Sequence, residues 1–426
     1  MIKILKYNEV ENKELLRTET PEKNVEGIVS EIIENVKTNG DAALFEYCER
    51  FDKAKLDSLL VTKEEIKEAI SLTDARFMAV LERAAENIRN FHKMQIREGF
   101  EIKEGTDKVL GQKITPVDRA GLYVPGGTAA YPSTVLMSVI PAKIAGVKEI
   151  VITTPPDKNG KINPAILAAA YVAGADKIFK IGGAQAVAAL AFGSESVPKV
   201  DKIVGPGNAF VAEAKRQVYG KVSIDMIAGP SEILVVSDGK SNPRFVAADL
   251  LSQAEHDKMA SAILITDSEE LALSVSKELE KQIPQLEREE IARTSIDNNG
   301  KIIIVDNIEK AIETANDIAP EHFELCLDDP FKYLDKVRHA GSVFLGRNCP
   351  EALGDYFAGP NHTLPTSATA KFSSPLSVDD FVKKTQYIYY SEEAFSKVAD
   401  DVSYFARKEG LTAHARSAEV RTEDKK

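Results

Sequence analysis

Cysteine is scarce in this chain, with three in 426 residues, at Cys48, Cys326 and Cys349. That is too few for a disulfide framework and favours a reducing compartment. Long apolar runs are missing as well. The longest uncharged stretch, Gly121 to Ala142, is broken by Pro125, Pro132, Pro141 and three glycines, whereas a membrane span needs ~20 apolar residues in one helix. The opening residues, Met-Ile-Lys-Ile-Leu-Lys-Tyr-Asn, hold no apolar stretch of signal-peptide length. These absences point to the cytoplasm. Excess positive charge is lacking too: the formal net charge is −12, so nucleic acid and anionic membranes would repel the chain. No solenoid-period repeat or low-complexity tract occurs, and the residues from Thr422 read as frayed.

What remains is an ordinary globular composition, 43% apolar, with length enough for two to four domains of roughly 100 to 150 residues each. From Pro21 to about Gln95 apolar residues such as Ile28, Ile32, Ile33 and Val36 recur between charged ones, which predicts a helical layer. Between Tyr123 and Val236, short β-branched runs alternate with alanine-rich runs. Strands are predicted at Glu149 to Thr153, Lys177 to Ile181, Lys202 to Val204 and Ile233 to Val236. Helices are predicted at Thr134 to Ala145, Pro164 to Ala173, Ala184 to Phe192 and Ala209 to Val218. A second such set follows, with a helix from Arg244 to about His256, strands at Ala262 to Thr266, Lys301 to Val305 and Ser342 to Leu345, and a helix from Glu269. The pattern predicts an α/β chain with two Rossmann-like domains in tandem, a helical N-terminal region and a small helical tail from about Ser377.

Two turns place glycine between a predicted strand and helix: Gly182-Gly-Ala-Gln and Gly205-Pro-Gly-Asn. Such a helix start offers free N–H groups to a phosphate. Neither turn has the Gly-x-Gly-x-x-Gly spacing, and no acid sits at the usual distance to hold a ribose. Dinucleotide binding and simple tight turns both remain open on this pattern. Tyr123, in Gly121-Leu-Tyr-Val-Pro-Gly-Gly, reads either as a stacking platform or as a buried strand tyrosine.

Six histidines occur. His256 follows Gln253 by three residues, a spacing that puts both on one helix face with Asp249 and Ser252. A solvated polar face is the usual explanation of such a stripe. Ser231-Glu232 follows the Gly229-Pro230 turn at what is expected to be a strand end, where α/β sites form. Glu321-His322 sets an acid beside a base, Asp355 is preceded by Gly354, and His414 lies in the tail.

Taken in order, these segments closely resemble the histidinol dehydrogenase family over nearly the whole chain. The stretches that carry the resemblance are Gly121-Leu-Tyr-Val-Pro-Gly-Gly, Gly182-Gly-Ala-Gln, Val204-Gly-Pro-Gly-Asn-Ala-Phe, Ala228-Gly-Pro-Ser-Glu, Leu251-Ser-Gln-Ala-Glu-His, Pro320-Glu-His and Leu411-Thr-Ala-His. The resemblance implies oxidation of L-histidinol through L-histidinal to L-histidine, the last step of histidine biosynthesis, with two NAD consumed and one Zn²⁺ per subunit. It implies zinc ligands at Gln253, His256, Asp355 and His414 and a catalytic pair at Glu321 and His322. Substrate contacts fall on Ser231, Gln253, His256, His322, Asp355, Glu409 and His414, and NAD contacts on Tyr123, Gln185 and Asn208. The implied division is an N-terminal segment 1–20, a metal-bearing α/β domain formed by 21–122 with 237–376, an NAD domain 123–236 and a dimerisation tail 377–426. That tail is expected to reach the partner subunit's site in a homodimer. Zinc and manganese both suit such a nitrogen and oxygen set.

Two other readings stand beside this one. In a thiol route Cys326 or Cys349, near His322 and Asp355 in sequence, captures the aldehyde. In a non-enzymatic reading the same fold senses nucleotide, although every metal and catalytic position is filled.

Overall fold

The computed structural model describes residues 1–9, 25–126 and 130–423. Most of the expected segment 1–20, the start of the helical region and Gly127 of the glycine-rich stretch lie outside the described residues. Strands are numbered along the chain: β1 (Lys3–Lys6), β2 (Phe100–Glu104), β3 (Lys108–Pro116), β4 (Arg119–Tyr123), β5 (Glu149–Thr154), β6 (Lys177–Lys180), β7 (Lys202–Val204) and β8 (Ser223–Ile224). The series continues with β9 (Glu232–Ser237), β10 (Ser261–Thr266), β11 (Lys301–Ile304), β12 (His322–Cys326), β13 (Ser342–Leu345) and β14 (Val382–Tyr390). Two compact units result, Met1–Gln95 with Val117–Phe381, and Ile96–Pro116 with Val382–Lys426.

The first unit holds two parallel sheets, in the orders β6-β5-β4-β7-β8 and β1-β11-β10-β9-β12-β13. In each, the chain builds outward on one side and then crosses to the other, so each has a switch point, at β4/β7 and at β9/β12. Strands β9 and β10 are buried at every residue, which is why they read as continuous Ile, Leu and Val runs without alternation. The tandem α/β expectation is met.

The expected division at 122/123 differs from what the sheets show. It falls inside β4, the middle strand of the five-stranded sheet, which pairs with both β5 and β7. The helices of 25–93 also cover this sheet and not the six-stranded one. Val29, Val36 and Leu44 pack with Val151 and Phe179 on one face, and Leu81 and Ile88 pack with Leu136 and Ile150 on the other. Helical periodicity identifies a face to be buried but not the sheet that buries it.

The second unit is a three-stranded antiparallel sheet, β14-β3-β2, followed by helices Ala399–Lys408 and Thr412–Glu419. The helical tail is present, but it opens on a nine-residue strand, and its sheet partners β2 and β3 fall where no strand was predicted. All five residues of β2 are exposed, so no apolar alternation marked it. Gly111 on β3 lies under Tyr387, where a side chain would meet the ring at 2.2 Å. Among the described residues, no helix is long and apolar enough to cross a membrane.

Candidate active site

The polar residues singled out in the second α/β set gather at the amino ends of the six-stranded sheet. Glu232 opens β9 and His322 opens β12, and the strands run parallel with His322 opposite Ile233. Ser231-Glu232 was expected at the end of a strand, and it stands at the start of one. The helix Pro243–Ala254 explains this placement. It runs back along the sheet after β9, so its last turn, with Gln253 and then His256, returns to the level where β9 began. The switch-point rule would have put the site at the carboxyl ends.

The backbone of Glu232 holds the acid and base together. Its N–H donates to Glu321 Oε2 at 2.9 Å, and its carbonyl accepts from His322 Nδ1 at 3.0 Å. With Nδ1 donating, the neutral imidazole carries its lone pair on Nε2. That atom is buried without a hydrogen-bond partner and stands 3.5 Å from Asp355 Oδ1. Ala319, at φ 53°, closes the preceding helix in a left-handed conformation and turns the chain through Pro320 into β12. That conformation costs a non-glycine residue roughly 1 kcal/mol.

Around His322 stand the carboxylates of Glu321, Glu351 and Asp355. Burial pulls the His322 pKa down, but Glu321, Asp355 and Glu351 outweigh it and lift it to about 10. Glu321 is pushed up to about 8, chiefly by burial. Burial also raises Asp355, yet the His322 imidazole beside it outweighs burial and holds it well below the carboxylate range. Glu351 rises to about 7 through burial and the nearby Asp355.

These residues fit a cation. His322, Glu351 and Asp355 bring ligand atoms within 4.8 Å of one another. His256 is kept neutral mainly by burial, leaving a nitrogen lone pair, and it feels the charge of Asp355. The Gln253 amide nitrogen is buried and unpartnered, and turning the amide over presents its carbonyl oxygen at the same place. A cation there would serve as the counter-charge that the imidazolium otherwise supplies, and His322 would fall toward its ordinary range. Asp355 itself lies on a turn, Gly354–Ala358, that is anchored from two sides. His362 Nδ1 donates to the Asp355 carbonyl at 3.1 Å, and Asn87 Nδ2 donates to Phe357 O at 2.8 Å. A cavity of about 110 Å³ beside it is lined by Phe344, Cys349, Leu353, Asp355 and His362.

Sequence reasoning missed Glu351 and His362, and it placed Glu232 near a site without giving its backbone a role. Glu351 accepts from Ser252 Oγ at 2.7 Å, a contact 99 residues apart that no spacing announces. Behind it, Glu324 is buried on β12 and accepts the Glu351 N–H at 2.8 Å. Burial, then the charge of Asp249, raises the Glu324 pKa well above normal. Its unfolded value lies near 4.5, so native stability is lost as pH rises from there, where only the unfolded chain gives up the proton. Glu324→Gln keeps the acceptor and removes the titration. We expect its melting temperature to match the parent at pH 5 and exceed it at pH 8, and equal melting at both pH values would refute this.

The expected cofactor residues line the carboxyl ends of the five-stranded sheet. Tyr123 ends β4, Gln185 lies in the first turn of helix Gly183–Phe192, and Asn208 caps helix Ala209–Val218. Asn208 is exposed, and its Oδ1 accepts from Phe210 and Val211 N–H, which leaves its amide nitrogen for a ligand. Tyr123 is 5% exposed, and its hydroxyl accepts the Gly183 N–H at 3.1 Å. The buried strand reading of that ring is the one observed. Glu409 and His414 belong to the second unit, where both are exposed.

A family model described as histidinol dehydrogenase matches residues 15–422. The chain belongs to the histidinol dehydrogenase family. It is 56% identical over 411 residues to a histidinol dehydrogenase of Clostridium acetobutylicum, covering 96% of this chain and 93% of the relative. A histidinol dehydrogenase of Geobacillus kaustophilus is 56% identical over 395 residues, covering 93% of each. The crystal structure of histidinol dehydrogenase from Elizabethkingia anophelis superposes with a TM-score of 0.93 at 39% identity, covering 99% of this chain and 98% of that one. With the family in hand, the setting of Cys326 weighs against a thiol route. Burial first, then Glu324 and Asp249, push its thiol far up, so thiolate is disfavoured.

Proposed function

We propose that this chain oxidises L-histidinol through L-histidinal to L-histidine in the cytoplasm, as an NAD-dependent histidinol dehydrogenase with one divalent cation, zinc or manganese, per subunit. The observation that carries this reading is the backbone of Glu232, which fixes Glu321 and His322 side by side with His322 Nε2 bare. When bound, the cation orients the substrate and the nicotinamide accepts hydride. Gln253, His256 and Asp355, with His414 of the partner subunit, would hold the cation. A ligand set with one carboxylate leaves net positive charge to grip the neutral imidazole and amine of histidinol. Ser231 and the partner subunit's Glu409 would complete substrate binding.

His322 Nε2 takes the hydroxyl proton of the alcohol, and later that of the aldehyde hydrate. Glu321, whose burial makes it a stronger base than an exposed carboxylate once ionised, activates the water that forms the hydrate. The dinucleotide would lie across the carboxyl ends of β4 and β7, held by Gln185 and Asn208, with Tyr123 shaping the floor. A cleft of about 470 Å³ lined by Gly126, Pro155, Lys161 and Asn163 adjoins this region. It has room for the cofactor's outer half.

The purified protein is expected to form NADH from histidinol and NAD, to lose that activity on chelation and to regain it with Zn²⁺ or Mn²⁺. Absence of NADH in the metal-loaded protein would favour nucleotide sensing over catalysis.

A further inference from the structure

We propose that Lys215 and Asp225 are positioning residues for the dinucleotide: their buried ion pair holds the backbone of the Gly205-Pro206-Gly207-Asn208 turn in the shape that presents Asn208. The inference rests on the reading of Asn208 as a cofactor contact.

A lysine ten residues beyond a glycine turn would ordinarily be taken for a phosphate ligand. Here it is not available for that. The side chains of Lys215 and Asp225 are 2% and 1% exposed, and they pair directly. The ammonium also donates to the Gly205 carbonyl at 3.0 Å, while the Gly205 N–H donates to Asp225 Oδ2 at 2.8 Å. The pair therefore takes both backbone polar groups of one glycine and turns them inward.

Gly205 has little freedom to answer in any other way. Its φ is +114°, and a Cβ there would sit 2.1 Å from the Tyr123 carbonyl oxygen. The turn is thus clamped between β4, the helix that carries Lys215 and the residue that follows β8. Asn208 comes three residues after Gly205 and starts that same helix.

Burying two charges is costly, and an apolar pair of similar volume often serves stability as well. What an apolar pair cannot supply is a directed donor and acceptor for the carbonyl and the N–H of one residue. The geometry therefore assigns the pair to shaping the turn. A misplaced turn would weaken cofactor binding while leaving the proton-transfer residues on the other sheet untouched.

The test uses the full chain loaded with zinc. Lys215→Met combined with Asp225→Asn removes both charges together, so neither is left buried alone. NADH affinity is measured by fluorescence titration, and steady-state kinetics are run with histidinol and NAD. We expect the dissociation constant for NADH and the KM for NAD to rise about tenfold or more, the equivalent of roughly 1.4 kcal/mol. The kcat at saturating NAD and the KM for histidinol should stay within about twofold. Asp225→Asn alone, which keeps a partner for Lys215 but loses the carboxylate acceptor, should move NADH affinity in the same direction, and it carries the test if the double variant does not fold. Parental NADH affinity in a folded variant overturns the positioning role, as does a fall in kcat with the KM for NAD unmoved. Failure of the parent protein to bind NADH sinks the cofactor reading, and this inference with it.

Discussion

His322→Gln is expected to lower kcat by about 10²- to 10⁴-fold, the usual contribution of a general base, while bound metal and NADH affinity stay within about twofold. Glutamine can keep a donor toward the Glu232 carbonyl that now accepts from Nδ1, so the start of β12 should hold its shape. It has no titratable nitrogen to replace Nε2. Both half-reactions should slow, because the same atom serves the alcohol and the hydrate. Steady-state kinetics with histidinol and with histidinal, alongside metal analysis, check this. Near-normal turnover would remove His322 from the mechanism, and a parallel loss of metal would recast it as a ligand beside Asp355 and Glu351.

The second large effect concerns subunits. His256→Asn and His414→Asn are each expected to abolish most activity. If the tail of one subunit completes the site of its partner, mixing the two variants restores it. A mixed dimer carries one site with both histidines and one with neither. Random exchange makes about half of the dimers mixed, so about a quarter of parental activity returns in a two-fold symmetric assembly. Exchange must be confirmed with tagged subunits. Recovery near zero after confirmed exchange means that each site is built from a single chain.

The parts of this protein that were legible in its sequence are those in which a local pattern has one physical meaning. Continuous β-branched runs such as Ile233 to Val236 and Ala262 to Thr266 can only be strands buried on both faces, and they are. The ordered motifs led to the family directly. Less legible were β2 and β14, strands so exposed that they carry no alternation, and the sheet on which the helices of 25–93 pack. Least legible were the residues that work through their backbone. Glu232 contributes an N–H and a carbonyl to the site, and a peptide group looks the same at every position of a sequence.

The stretch around Gln253 and His256 shows where the division falls. Their spacing alone puts them on one helical face, and the resemblance to the family is what raises a metal there as a proposal. Only the fold decides that the face is buried, that it returns to the amino ends of β9 and β12, and that Asp355 and Glu351 meet it there. Helical phase is a local property, set by 3.6 residues per turn. Desolvation, charge balance and hydrogen-bond direction depend on groups a hundred residues away, and those determine whether an imidazole is a base, a ligand or a counter-ion.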